Sequence, residues 1–293
     1  MTESHTPRRA PRHNPWPSAG VGHPRVRQYR NIKHNRTPSG NTALALEGLW
    51  AIRAALAADV PVEVVFICSS LLRGDGVDAV VRDIRAAGGL ALEVSERVLR
   101  RMVDRDGPDG LAAIAHLPPA RLDDVTVDAA TCVVVADSFE LAGNLGTIVR
   151  CADGAGSGAV LVTDRRLRVT HPLVIKASMG TIFSMPVVET DRDSALRWLQ
   201  ARRFRIVAAD PAAPQSYRDV DYRGRIAIVL GSERYGLAPF WQDAADACVS
   251  IPMLGVADSL NVGHAAALLL YEALHANGAS AMRLVHPDGD HDA

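Results

Sequence analysis

The stretch TCVVVADSFELAGNLGTIVRCADGAGSGAVLVT, residues 131–163, decides the fold. TCVVVAD (131–137) and AVLVT (159–163) are short Val-rich runs with no polar face, and between them the pattern turns helical from about Gly143. An uninterrupted apolar run signals a strand buried on both faces, and strand, helix, strand at this length signals a parallel pair. Moving toward the C-terminus, the alternation continues. It runs through a helix near 172–179, MPVVET (185–190), a helix from Ser194 to Phe204, RIVAAD (205–210), IAIVLG (226–231), ACVSIPM (247–253) and a final helix from Ser259 to about Ala276. Residues 131–278 therefore predict an α/β domain around a parallel sheet, in which ligands sit beyond the carboxyl ends of the strands.

Toward the N-terminus, Pro118-Pro119 opens a polar stretch that predicts a linker over 119–130. Upstream, NTALALEGLWAIRAALAA (41–58) places Leu46, Leu49, Ile52, Ala55 and Leu56 on one helical face, with Ser39 or Asn41 as candidate caps. VEVVFIC (62–68), a helix over 77–87 ended by Gly88-Gly89, LALEVS (90–95), a helix to about Asp104 and GLAAIAHL (110–117) complete a small α/β domain over 29–118. Residues 1–28, rich in Pro, Arg and His without apolar period, are expected to stay outside the fold as a disordered basic tail, and 279–293 as a disordered acidic one.

Composition narrows the class. The chain has 293 residues with 48% hydrophobic, enough for two cores, and no uncharged apolar run of the length a membrane span needs. MTESHTPRRAPRHNP lacks the apolar centre of a secretory signal, so cytoplasmic residence is expected. Cys68, Cys132, Cys151 and Cys248 show no CxxC spacing, which argues against a zinc site or a disulfide framework. The net charge of −1 hides an uneven distribution: residues 1–40 carry a local +7 and the remainder −8. A basic arm on an acidic body suits a polyanion partner, since Arg and Lys neutralise phosphates, though a solubilising tail has the same composition.

Three strand-end segments are unusual for surface connections: NLGTIVRCADGAGSG (144–158), VLGSERYGL (229–237) and SIPMLGVADSLNVGHAAALLLYEA (250–273). In the first, Asn144 precedes a turn that carries Arg150, an arginine expected to face the strand-end cleft and able to fork onto phosphate or hold developing negative charge. Gly146 permits close backbone approach. In the second, Leu230, Gly231 and Gly236 bound a tight loop whose exposed amides and carbonyls can hold an adenosyl group, with Glu233 at its tip. In the third, Ile251, Pro252, Met253, Leu260 and Ala265 offer apolar walls, Ser259 reads as the cap of the last helix, and Asn261 as a hydrogen-bonding neighbour.

These three segments, in this order, resemble the motifs of the SpoU/TrmH family of S-adenosylmethionine-dependent RNA 2′-O-ribose methyltransferases, a branch of the SPOUT superfamily. The likeness covers 130–275 and, more weakly, 30–117, through LEG (46–48) and DGPDGLAAIA (106–115). It implies a C-terminal α/β-knot, a parallel sheet with a deep trefoil knot, and a small L30/L7Ae-like N-terminal domain that binds substrate. It also implies a homodimer with the site near the subunit interface. Nothing in periodicity reveals the knot or the dimer. By resemblance, Arg150, Asn144, Glu233, Ser259 and Asn261 form the catalytic set, and S-adenosylmethionine is the cofactor, with no metal and no membrane. Arg150, Lys176, Arg165 and Arg166 are candidate RNA contacts; Lys176 is one of only two lysines in the chain.

The expected reaction is an in-line displacement at the sulfonium methyl, so positioning dominates. Arginine is too weak an acid to serve as the base, so Arg150 is expected to stabilise developing alkoxide while a phosphate or water takes the proton. Structured RNA is the expected partner, 23S rRNA ahead of tRNA. A non-catalytic RNA-binding protein of the same fold would predict damaged motifs, yet all the motif residues are present. An NAD-linked oxidoreductase is suggested only by GAGSG (154–158), which precedes a strand where a dinucleotide fingerprint must follow one.

Overall fold

Residues 15–36, 42–73, 75–104 and 108–278 are described by a computed structural model. The chain divides at Pro118 and Pro119 into two compact units. In the first, Leu44 and Leu46 are fully buried, as are Ala43 and Ala45 on the opposite side. A segment covered on both faces has no helical stripe to present, so the expected single helix over 41–58 resolves into a strand, β1 (Ala43–Glu47), and then α2 (Gly48–Ala57). Before them lies α1 (Pro24–Lys33), and after them β2 (Val62–Ile67), α3 (Val77–Ala86), β3 (Leu90–Glu93), α4 (Glu96–Leu99) and β4 (Leu111–His116). The sheet order is β1-β4-β2-β3, with β4 antiparallel to β1 and β2, and β3 parallel to β2.

Residues 15–28 do not stay outside this unit. Val26, Tyr29 and Ile32 form one buried stripe of α1, too small to order a free helix but sufficient once β-strands supply the other half of the core. Tyr29 meets Phe66 edge-on at 5.7 Å and its hydroxyl donates to the Leu46 carbonyl at 3.1 Å. Burial pushes that hydroxyl's pKa well above its ordinary value. Further upstream, the Ala19 amide donates to the Glu93 carbonyl at 2.7 Å, lengthening the sheet edge. The candidate caps Ser39 and Asn41, and both terminal tails over 1–14 and 279–293, lie outside the described residues.

The second unit is built on β5 (Cys132–Asp137), α5 (Ala142–Gly154), β6 (Ala159–Thr163), α6 (Pro172–Ser178), β7 (Val187–Thr190), α7 (Arg192–Ala201), β8 (Arg205–Ala209), β9 (Gln215–Ser216), β10 (Ile226–Leu230), α8 (Pro239–Ala244), β11 (Ala247–Ser250) and α9 (Val262–Ala276). Every pairing is parallel, in the order β7-β6-β5-β10-β8-β11-β9. The expected parallel sheet is thus present, with β9 and α8 as elements too short to show a period. Progression runs outward from β5 to β7, then resumes on the other side of β10, so the order reverses beside β5 and β10. The stretch expected to be a linker packs here as well. Val125 is buried, with Leu122 and Val127 against the same core, and the Trp198 indole donates to the Leu122 carbonyl at 2.9 Å.

At the carboxyl ends of β5 and β6 a part-exposed charged cluster forms around one buried carboxylate. Asp137, 1% exposed, accepts two hydrogen bonds from Arg192 at 2.7 and 2.8 Å and one from Thr163 at 2.7 Å. The Ser138 hydroxyl and Arg192 also reach Asp164, and hold its carboxyl below the usual range. Bonding to Asp137 raises the Arg192 pKa in turn. Removing one partner of such a pair strands a buried charge. Arg192→Ala is therefore expected to lower unfolding free energy by about 3–5 kcal/mol in urea titrations; a loss of only a few tenths would mean that Thr163 and Ser138 alone satisfy the carboxylate. Asp164 contributes stability that is full above the ordinary carboxylate range and is lost as pH falls through its lowered value.

Candidate active site

Four strand ends supply one cavity. The loop after β5 brings Leu141, and the first turn of α5 brings Asn144. Asp210 and Pro211 follow β8, the turn 231–237 follows β10, and β11 leads through Val249 and Ile251 to the segment 258–265. The cavity they enclose is about 400 Å³. Leu230, Ile251, Leu260, Val262 and Ala265 make much of its wall apolar, as a slot for a planar ring requires.

The turn after β10 is pinned on itself. Buried Ser232 accepts the Gly236 amide on its carbonyl at 2.8 Å and the Tyr235 amide on its hydroxyl at 3.0 Å. A Cβ at Gly231 would stand 2.3 Å from the Gly236 carbonyl oxygen, so only glycine lets the turn close. Residues 233–235 are thereby left projecting into solvent.

Side chains then tie the three separated segments together. The Asn144 amide donates to Glu233 Oε1 at 2.6 Å, and the Asn261 amide donates to Asn144 Oδ1 at 3.2 Å. Asn261 in turn accepts the Gly263 amide at 2.9 Å, which makes it the N-cap of α9. Ser259, expected to be that cap, lies two residues earlier at the cavity rim and donates to Asp258 Oδ1 at 3.1 Å. The local reason is spacing: the helix starts at Val262, and only a residue immediately before it can reach the free amides of the first turn.

Of the residues expected to bind cofactor, Leu230, Gly231, Gly236, Ile251, Ser259, Leu260 and Ala265 line the cavity, whereas Pro252 and Met253 do not. Arg150 also does not. It lies six residues beyond Asn144 on α5, which on a helix is about 9 Å along the axis and roughly 120° around it, and it is exposed. Gly146 faces α6, where a Cβ would stand 2.5 Å from the Val174 carbonyl oxygen, so its close approach serves helix packing and not a ligand. Lys176 is exposed on α6, Arg165 pairs with Glu189 at 3.0 Å, and Arg166 pairs with Asp164 at 2.9 Å. Sequence reasoning missed Leu141, Asp210, Pro211 and Asp258, although the rule placing ligands beyond strand ends points at the loop after RIVAAD.

Comparison with known proteins bears on this arrangement. Residues 131–271 match the SpoU rRNA Methylase family, and residues 23–113 match the MRM3-like substrate binding domain. A 23S rRNA (uridine(2479)-2'-O)-methyltransferase of Streptomyces viridochromogenes is 30% identical over 238 residues, spanning 79% of each chain. The chain belongs to the SpoU rRNA methylase family. Among solved structures, an AdoMet-bound rRNA methyltransferase from Sinorhizobium meliloti superposes with a TM-score of 0.80 at 27% identity, covering 88% of this chain and 96% of that one. A SpoU methyltransferase from Streptomyces viridochromogenes, in complex with the cofactor AdoMet, gives 0.78 at 25% identity, covering 86% and 97%. The SpoU match thus lies within the second unit and the substrate binding domain match within the first.

Because Asn261 caps α9 and also holds Asn144, Asn261→Ala should cost about 1 kcal/mol of stability. Urea denaturation reads it, and an unchanged midpoint would show that the cap carries no weight.

Proposed function

We propose that this chain transfers a methyl group from S-adenosylmethionine to a ribose 2′-hydroxyl of structured RNA, with 23S rRNA as substrate. The observation that carries the reading is the Glu233–Asn144–Asn261 chain of hydrogen bonds at a strand-end cavity with apolar walls. Relatives named as 23S rRNA 2'-O-methyltransferases, modifying a uridine, a guanosine or an adenosine, support the substrate class. In this reading residues 29–118 hold RNA and 131–278 carry out transfer, where ribosomes are made, in the cytoplasm.

The residues present fit the cofactor. Leu230, Ile251 and Leu260 wall an adenine-sized slot, and the backbone of 231–236 offers polar groups at a point where a Cβ at Gly231 would keep the turn from closing. S-adenosylmethionine supplies an electrophilic methyl on a sulfonium. The protein's part is to hold the ribose oxygen in line and to exclude water. Asn144, itself held by Asn261, orients Glu233, whose second carboxylate oxygen is able to accept from a ribose hydroxyl.

Arg150 completes the site from a second copy of the chain. It stands one turn before Gly154 on α5, and the Gly154 carbonyl accepts from the Tyr271 hydroxyl of α9. Leu268 and Tyr271, 40% and 51% exposed, give that face the apolar character of a subunit contact. Across it the Arg150 guanidinium would stabilise the developing alkoxide while a phosphate or water takes the proton. We extend the reading to the trefoil knot that likeness to the SpoU family implies.

Mapping 2′-O-methylation in total RNA with and without the gene tests the substrate: a mark confined to tRNA would transfer the reading there, and no lost mark together with no calorimetric binding of S-adenosylmethionine would favour a non-catalytic RNA-binding protein. Arg150→Ala is expected to slow transfer by about 100-fold or more while leaving cofactor affinity nearly unchanged. Gly231→Ala is expected to lose the cofactor, and mixing the two variants should restore part of the activity. An unchanged rate for Arg150→Ala, or no recovery in the mixture, overturns the assignment across subunits.

A further inference from the structure

The tip of the turn after β10 carries a residue that neither the cavity nor the core uses. Tyr235 is 70% exposed, between Glu233, which Asn144 holds, and Gly236, which lines the cavity. Its backbone is pinned by the hydrogen bond from its amide to the Ser232 hydroxyl at 3.0 Å, so the exposed ring is carried on a held turn between two residues that line the cavity. The Arg234 guanidinium lies 5.2 Å from the ring centroid, which restrains the ring and places a cation beside it. Leu141 and Leu260, both cavity-lining, are 56% and 37% exposed along the same rim. The rim of a site proposed for a polar sugar therefore carries exposed aliphatic surface, and an exposed aromatic ring stands two residues from Glu233 on the adjoining turn.

Ribose chemistry supplies the occupant. The carbon bearing the 2′-hydroxyl is bonded directly to the carbon bearing the base, so a nucleotide that presents its 2′-oxygen to the cavity must lay its base against the rim. Unpaired bases in RNA are held by stacking on aromatic rings and guanidinium planes, and every base has a face for this. We propose that Tyr235, backed by Arg234, is the platform on which the base of the target nucleotide stacks. It rests on the 2′-O-methyltransferase reading and adds to it a demand for an unstacked target base. Stacking tolerates any base identity, so Tyr235 fixes accessibility and leaves sequence choice to other contacts.

The test is methyl transfer from labelled S-adenosylmethionine to an unmodified 23S rRNA transcript by the full chain. Tyr235→Ala should raise KM for RNA about tenfold, with cofactor affinity and subunit association unchanged, whereas Tyr235→Phe and Tyr235→Trp should keep KM near the parent value. Transfer by the parent protein with equal KM for Tyr235→Ala overturns the stacking role alone. Failure of the aromatic replacements to preserve KM assigns the effect to the hydroxyl, and dissociation of the Tyr235→Ala protein into single chains assigns the rim to a subunit contact; either overturns the platform. No transfer by the parent protein, with cofactor still bound, removes the rRNA reading and this inference with it.

Discussion

The parallel register of β5, β10 and β8 is the constraint from which the rest follows. Leu230 pairs with Ala136 on one side and Ala209 on the other, so three strands end at the same height. Because all connections of a parallel sheet return to the same edge, the loops after these strands must share one space, and the reversal of strand order beside β10 leaves that space open. The fully buried Val and Ile residues of β5 and β10 hold the register, since both faces of these strands are covered and a slip would misplace every side chain. Function in this unit is thus a by-product of burial several residues away from the chemistry.

What the register delivers is proximity; side chains refine it. The bonds from Asn144 to Glu233 and Asn261 are partly solvated, and each contributes little free energy by itself. Their joint effect is geometric: the start of α5, the turn after β10 and the cap of α9 are placed within one chain of contacts. A residue such as Asn261 serves structure and site through two atoms of one amide, its oxygen on Gly263 and its nitrogen on Asn144. The Asp137–Arg192 cluster steadies the ends of β5 and β6 from beneath, before the chain turns toward Leu141.

Legibility in the sequence tracked how locally each feature is encoded. TCVVVAD and IAIVLG could be read as buried strands because their apolar runs are continuous, and the strand-end rule then pointed to loops that line the cavity. ALALE (43–47) was misread because alternating Ala and Leu suit a helix as well as a strand covered on both faces; only pairing with β4 decides it. The tail boundary at residue 28 cuts through the stripe of Val26, Tyr29 and Ile32, because a three-residue stripe carries no signal until a partner core exists. Asn261 and Ser259 exchanged capping roles because helix starts are poorly marked in sequence. Arg150 was legible as a motif residue, but its direction depends on helical phase, which turns it away from its own cavity.

The outermost strand of the larger sheet, β9, is only two residues long. A strand that short exposes too few unpaired amides and carbonyls to template another chain, so the sheet cannot grow by edge addition at that side. At the opposite margin, β7 carries Glu189 engaged with Arg165, a charged pair that an incoming apolar strand would have to desolvate. The seven-stranded sheet is in this way guarded against aggregation at both margins.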